Sequence, residues 1–283
     1  ALAFEKRNGD RFNVLYQPGL IYEHLDVNLS NPILSDKRVR QALVYAVDRN
    51  AISERLFQGK QAVANSMVNP LDWVYSEGVV PVYGFEPEKA KALLDEAGWK
   101  PGPGGVRMNE RGEKLSLSLM TTAGNRSREL IQQVLADYWK RVGVETLIKN
   151  EPARVFFGET VSKRRFPGLA MFAWLSAPES LPRTTLHSDY IPTEANNWGG
   201  QNFTGFSNPR VDELLDAMEI ELDKPKRKAM WEELQKIYAD ELPAIPLYFR
   251  AELYILPKWL KGVRPSGHSA SSTNWIEEWK TGG

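Results

Sequence analysis

The sequence contains no cysteine. That absence excludes disulfides, thiolate metal sites and cysteine nucleophiles together. Histidine is scarce: there are three, His24, His187 and His268, far apart along the chain. No HExxH, paired-histidine or Cys/His spacing exists, so no zinc site and no other cofactor is expected. Charge of one sign is lacking as well, since 36 basic and 36 acidic side chains cancel. Binding to a nucleic-acid backbone needs a basic surplus, and an electrostatic membrane anchor needs a basic cluster, so neither partner is expected. Long hydrophobic runs are also missing, and nothing reaches the length of a bilayer span. The opening residues, Ala1-Leu2-Ala3-Phe4-Glu5-Lys6-Arg7, carry charge at once and have no apolar stretch of signal-peptide length, as in a mature or trimmed chain.

What is present is ordinary for a folded domain: 283 residues, 42% hydrophobic and 25% charged. Tyr22 to Leu29 alternates apolar and polar, as a half-buried strand does. Asn31-Pro32 breaks it. Ser35 then reads as the N-cap of one long helix with Val39, Ala42, Leu43, Ala46 and Val47 on one face, running towards Leu56 and stopping by Gly59. Pro87 fits the first position of a further helix and Gly98 its C′ position. Leu115, Leu117 and Leu119 alternate as a strand. Leu130, Ile131, Val134, Leu135, Tyr138 and Val142 form a helical face that Gly143 ends, and Val144–Lys149 reads as a second strand. A strand, helix and strand of this length make a βαβ unit with parallel strands. Leu169–Trp174 is a buried strand. Asn208-Pro209 opens a helix carrying Val211, Leu214, Leu215, Met218 and Leu222, and Pro225 restarts another. Ala244–Phe249 is a last strand in which Pro246 requires an edge or irregular position. The fold class is α/β, a mixed sheet with covering helices.

Several segments, in order, resemble the extracellular solute-binding proteins that serve ABC importers and carry peptides, nickel and some sugars or opines. The most specific runs from Asn28 to Arg49: Asn-Leu-x-Asn-Pro-x-Leu-x-Asp-x-Arg-Val-Arg-Gln-Ala-Leu-x-x-Ala-Val-Asp-Arg. Ala90 to Trp99, Ala-x-x-Leu-Leu-x-Glu-Ala-Gly-Trp, is a second. Trp139 to Val144, the Trp174 loop, Asn208-Pro209-x-Val-Asp-x-Leu and Leu242 to Tyr248 continue it. Chains of that family are considerably longer. The resemblance therefore implies one lobe of a two-lobed periplasmic-binding-protein type II-like clamp. In it, residues 1–24 are a remnant of the first lobe and hinge, 25–250 the ligand-binding C-terminal lobe, and 251–283 a return segment. It also implies a periplasmic or otherwise extracytoplasmic place, a membrane permease as partner, a monomer, and no enzymatic activity. Peptide is the first ligand class implied, with an oligosaccharide or opine-like solute second.

The candidate ligand contacts fall on loops. Trp174, Ser176 and Glu179 lie where a strand exits, the usual place for contacts in a cleft, and in the family the Trp of this loop lines the pocket. Trp174 as plain core filling is the structural alternative. Trp198, Gln201, Asn202 and Phe203 combine amides, rings and glycines, which suits peptide backbone and sugar hydroxyls equally; a surface turn that satisfies its own backbone is the other reading. Arg154 follows a strand and can clamp a carboxylate bidentately, or simply sit in solvent. A glycosidase would need two carboxylates, for which Glu179 and Asp189 are the candidates, but no motif places the second. Peptide receptors of the family commonly carry an Asp after the pocket Trp, against the ligand's amino terminus. Here no Asp follows Trp174 until Asp189. Either Glu179 takes that part, or the solute lacks a free α-amine.

A βαβ unit and several amphipathic helices are enough for a core of normal size. The 283-residue chain is accordingly expected to unfold in a single cooperative thermal transition by circular dichroism. A broad, non-cooperative melt counts against a self-contained lobe.

Overall fold

The computed structural model describes residues 2–175, 177, 180–265 and 272–282. Six strands form the principal sheet: β1 (Phe12–Val27), β2 (Ala62–Val63), β3 (Ser116–Met120), β4 (Glu145–Ile148), β5 (Leu169–Leu175) and β6 (Ala244–Pro257). Their order is β2-β6-β1-β5-β3-β4. β1 is antiparallel to both β5 and β6, whereas β3 runs parallel to β4 and β5, so the sheet is mixed as expected. The βαβ unit expected from alternation is present, with α5 (Arg126–Arg141) crossing between β3 and β4.

Seven α-helices of at least seven residues accompany the sheet among the described residues: α1 (Leu2–Asn8), α2 (Lys37–Tyr45), α3 (Arg49–Phe57), α4 (Pro87–Glu96), α5, α6 (Pro209–Ile220) and α7 (Lys224–Glu241). Their ends follow their caps. Asn125, Asn208 and Asp223 accept hydrogen bonds from the first-turn amides of α5, α6 and α7. Pro87 opens α4, and Gly98, at φ +87°, follows its end. The single helix expected from Ser35 to Leu56 is two. Asp36, not Ser35, caps α2, the chain turns at 46–48, and Asp48 accepts from Ala51 N to cap α3. An aspartate inside a helical pattern competes for backbone amides and starts a new helix where the chain permits it. Leu130 and Leu222, read as buried, are 47% and 89% exposed. Leu130 belongs to the solvent side of α5, and Leu222 lies beyond the end of α6.

Alternation along the sheet divides the interior. Leu25 and Val27 of β1 pair across to Met171 and Leu169 of β5, and this row packs with Val39, Leu43, Leu94, Leu135 and Trp139 in the largest apolar cluster. Trp139 is fully buried, and its indole N–H donates to the Leu43 carbonyl at 3.0 Å. The opposite face carries Tyr22, His24 and Asp26 of β1 beside Trp174, Phe172 and Ala170 of β5. There Phe156, Phe166, Phe172 and Phe203 form an aromatic cluster against which Trp174 packs. A further cluster joins α6 and α7, with Leu214, Leu215, Trp231 and Leu234, to the segment around Val68 and Val74.

β1 and β6 are unusually long and continue past the sheet as a two-stranded ribbon. Phe12–Gln17 pairs there with Glu252–Pro257. Where ribbon meets sheet the register shifts between Gln17 and Ile21, because Pro18-Gly19-Leu20 inserts extra length. Gly19 lies so close to β6 that a Cβ would stand 2.5 Å from the Arg250 carbonyl oxygen. Pro246 sits at the second register shift, beside Glu23 and His24, which is the irregular position its missing N–H requires.

Beneath the sheet's core face, Glu23 is fully buried between two guanidiniums. Arg128 Nε donates to Glu23 Oε1 at 2.5 Å, and Arg250 donates to Oε2 from Nε at 2.8 Å and from Nη2 at 2.5 Å. Removing the carboxylate leaves Arg128 buried without its counter-charge. Glu23→Ala is expected to lower unfolding stability by about 3–5 kcal/mol in urea denaturation, with Glu23→Gln retaining part of the loss.

Candidate functional site

Tyr22, His24 and Asp26 of β1 line a cavity of about 390 Å³. That volume is within the usual range for small-molecule sites. Its floor is Tyr22, His24 and Asp26. Trp174 and Leu175, at the exit of β5, form one wall. Met67, Asn69 and Asp72 form another, and Leu181, Pro182, Thr184, Thr185 and Leu186 with Gln201 form a third. Trp231 and Tyr238 of α7 close the back. The wall is mixed in polarity. It contains two carboxylates, Asp26 and Asp72, and a histidine, but no lysine or arginine among the described residues.

The floor is rigid for identifiable reasons. The His24 and Tyr22 rings stack at 4.9 Å, and the His24 ring meets Phe172 edge-on at 4.8 Å. Asn69 Nδ2 donates to the Gly19 carbonyl at 2.6 Å, which ties the second wall to the β1 bulge. The Tyr22 and Tyr238 hydroxyls lie 3.2 Å apart. Burial, and for Tyr22 also the neighbouring Tyr238 hydroxyl, pushes both phenols above their ordinary value.

The expected contact residues are dispersed by the structure. Trp174 is half-buried in the cavity wall, stacked 5.9 Å from Phe203 with 24° between planes. Phe203 is buried behind that ring and supports it from the aromatic cluster. Gln201 lines the cavity, where its Oε1 accepts from the Thr184 hydroxyl at 3.0 Å. Asn202 is fully buried. Its amide donates to the Leu186, His187 and Phe206 carbonyls and accepts from Phe206 N and Thr204 Oγ1, so it corrects to a loop-closing residue with no valence left for a ligand. Trp198 lies outside the cavity wall. It is half-buried at φ +60°, with the Arg165 guanidinium 5.9 Å from its ring centre. Arg154, on the exposed turn Ala153–Val155, is also outside the wall. Ser176 and Glu179 lie outside the described residues. Asp189 is an exposed side chain near His187 and does not line the cavity. Among the described residues, no group of three or more His, Asp or Glu side chains is placed to hold a metal ion.

The floor residues Tyr22, His24 and Asp26 were not among the expected contacts. Their signal was the alternation of β1 itself. Once Leu25 and Val27 are assigned to the core, 22, 24 and 26 must face the other way, and polar side chains on an inward face of a central strand point to a cavity.

The family described as bacterial extracellular solute-binding proteins, family 5 Middle, matches residues 2–197. The oligopeptide-binding protein AppA of Bacillus subtilis (strain 168) is 28% identical over 284 residues, covering 98% of this chain and 50% of its own. A dipeptide-binding protein of Escherichia coli (strain K12) is 28% identical over 266 residues, covering 90% and 45%. The crystal structure of an oligopeptide-binding protein from Thermus thermophilus complexed with a pentapeptide superposes with a TM-score of 0.83 at 34% identity, covering 91% of this chain and 46% of that one. The chain thus spans about half the length of the curated relatives it matches. Among the described residues, no helix is long and apolar enough to cross a membrane.

The raised tyrosine values fix the sign of an alkaline effect. A phenol whose folded value exceeds the unfolded one contributes stability that is complete below the unfolded value and lost as pH rises. Stability is expected to fall above pH about 10, and Tyr22→Phe to flatten that fall. Denaturant melts at stepped pH, with phenolate absorbance followed alongside, provide the check.

Proposed function

Because the chain belongs to the bacterial extracellular solute-binding proteins, family 5, we propose that it is the C-terminal half of an ABC importer's receptor, which captures a peptide or peptide-like solute outside the cytoplasm. The observation that carries this reading is the cavity at the exit of β5. It is walled by a half-buried indole, floored by a polar strand face and large enough for several residues of solute. Two relatives carry oligopeptide- or dipeptide-binding in their names, and a structural neighbour holds a pentapeptide, which supports peptide as the ligand class.

In this reading residues 25–250 are the ligand-binding lobe, while 1–24 and 251–283 belong with a first lobe supplied by the rest of a longer protein. The ribbon beyond the sheet supports the division. Leu253, Ile255 and Trp259 on the return strand and just after it are 41%, 39% and 55% exposed, apolar surface that suits a covering partner. A clamp closes only if the solute touches both lobes, because a ligand shifts a conformational equilibrium only by its differential affinity for the two states. The closed form then docks on a membrane permease. The reading has no catalytic step. It also needs no metal, and the protein acts as a monomer.

Native mass spectrometry of the full-length protein as purified tests the reading. A stoichiometric, non-covalent small-molecule adduct in the peptide mass range is expected. Trp174→Ala should weaken its retention by about 2 kcal/mol, because a half-buried indole is lost from the wall. Turnover of the bound molecule, or a protein that neither carries nor takes up any solute, would count against capture.

A further inference from the structure

A second buried histidine sits where the cavity wall meets α6. His187 is 5% exposed. It joins the short helical turn Arg183–Leu186, which contributes Thr184, Thr185 and Leu186 to the cavity, to the tight turn Ser188–Tyr190. Its Nδ1 accepts from the Asp189 backbone N–H at 3.1 Å. An accepting Nδ1 has no proton, so in the neutral ring the proton is on Nε2. Nε2 is buried, makes no hydrogen bond among the described residues, and stands 3.5 Å from Asp216 Oδ1. Nδ1 lies 3.8 Å from both Asp189 Oδ2 and Asp212 Oδ1. Three carboxylates, one on the turn and two on α6, thus surround one imidazole. The cation beside them is Arg183, which donates to Asp216 Oδ1 at 2.5 Å and approaches Glu219 at 3.4 Å. That guanidinium holds the Asp216 carboxyl below the usual carboxylate range, so Asp216 stays ionised wherever a histidine titrates. The Tyr190 ring meets the imidazole edge-on at 6.2 Å.

A proton added to Nδ1 sets two N–H groups against each other across 3.1 Å. The Asp189 amide then loses its acceptor. The new N–H has carboxylates to turn to, those of Asp189 and Asp212. Asp212 already accepts from Ser188 N at 2.9 Å and Ser188 Oγ at 2.5 Å, and a carboxylate has room for further donors. The imidazolium is therefore satisfied, but not in the arrangement that closes the turn. One proton selects between two hydrogen-bond arrangements of one turn, which is what a pH switch requires. Backbone contacts connect that turn to the cavity. The Tyr190 carbonyl accepts from Asn202 N at 3.0 Å, and Gln201, which lines the cavity, donates its own N–H to the Thr184 carbonyl at 3.0 Å. Gly200 is packed so closely that a Cβ there would stand 2.1 Å from the Tyr190 carbonyl oxygen. The Asn202 side chain also holds the His187 carbonyl at 3.2 Å.

We propose that His187 is a proton-operated clasp on the cavity wall. Neutral, it closes the Ser188–Tyr190 turn and holds the Gln201 wall in place; protonated, it releases the turn, and the cavity holds its solute less tightly. The consequence for solute rests on the capture reading above and adds regulation to it. By linkage, a solute that prefers the closed wall also disfavours protonation of His187.

The test follows the full-length protein by NMR from pH about 8 to about 5. Imidazole ¹⁵N signals report the state of His187, assigned by their loss in His187→Asn. Hydrogen exchange of the Asn202 amide, corrected for the intrinsic effect of pH, reports the turn. The expected result is an Nε2–H tautomer at the alkaline end, and an Asn202 protection factor that falls roughly tenfold in step with protonation of His187 while the β3 amides stay protected. In His187→Asn, whose side-chain oxygen accepts from the Asp189 amide but does not titrate, the step should vanish. If that variant does not fold, Asp216→Asn, which removes one carboxylate favouring the imidazolium, should move the step to lower pH. An Nδ1–H tautomer overturns the proposal, as does protonation of His187 without a step at Asn202, a step that survives in His187→Asn, or one that Asp216→Asn leaves in place. Native mass spectrometry of the co-purified solute after dialysis at each pH separates the two levels. Retention should be weaker at the acid end in the wild type and equal at both ends in His187→Asn. A solute whose retention ignores pH while Asn202 switches sinks this proposal alone, whereas a switching wall on a protein that carries no solute at either pH sinks the receptor reading.

Discussion

The Glu23 carboxylate, held between Arg128 and Arg250, fixes the register of β1, and most of the molecule depends on that register. β1 is the strand through which the two halves of the sheet communicate, paired with β5 on one side and β6 on the other. Its Leu25 and Val27 belong to the main core, and its Tyr22, His24 and Asp26 form the cavity floor. A slip of one residue would exchange the two sets, putting Asp26 into the aliphatic cluster and Leu25 into the cavity. A buried charge with two fixed partners makes such a slip costly, since a slip leaves the two guanidiniums without their carboxylate. The same ionic knot ties α5 and β6 to β1, so the crossover helix and the return strand are placed by one side chain.

The residues that carry the family resemblance are scaffold residues. In the run from Asn28 to Arg49, Asn28 and Asn31 donate to the Phe166 and Pro167 carbonyls. Asp36 and Asp48 cap two helices. Arg40 reaches the Leu34, Ser35 and Glu241 carbonyls, and Arg49 reaches those of Ala64 and Tyr83. Burial lowers the Arg49 guanidinium to about 10, and the carbonyls around it hold its protons. None of these six side chains lines the cavity. A motif of this kind specifies how the lobe is built and says little about what it binds. The cavity-lining residues His24 and Asp26 lie outside that motif.

Local signals were legible where one physical cause acted alone. Leu115, Leu117 and Leu119 alternate because β3 is buried between neighbours, and all three are buried as read. Pro87 and Asn208-Pro209 start their helices because capping is decided within four residues. Errors arose where two causes competed. Asp48 lies in a helical apolar pattern and is also a good cap, and the cap prevailed. Phe12 to Gly19 does not alternate cleanly, because only the ribbon partner across from it makes it a strand, and that partner is more than 200 residues away. The candidate site was half legible for the same reason. Trp174 lies at the exit end of a strand and could be inferred, whereas Asn202 has the composition of a ligand contact and the environment of a turn-closing amide. Tertiary context decided between those two.

The Pro18-Gly19-Leu20 insertion makes the ribbon a lever. Six residues of β1 beyond it, Phe12 to Gln17, span roughly 20 Å at strand rise. A change of about 10° in the backbone angles at the insertion carries the far end of the ribbon by about 3 Å at that length. Because the Asn69 side chain holds the Gly19 carbonyl, the fulcrum is attached to the cavity wall itself. A displacement of the segment around Asn69 would therefore reach the pivot directly, and a small rotation there would be magnified at the far end of the ribbon.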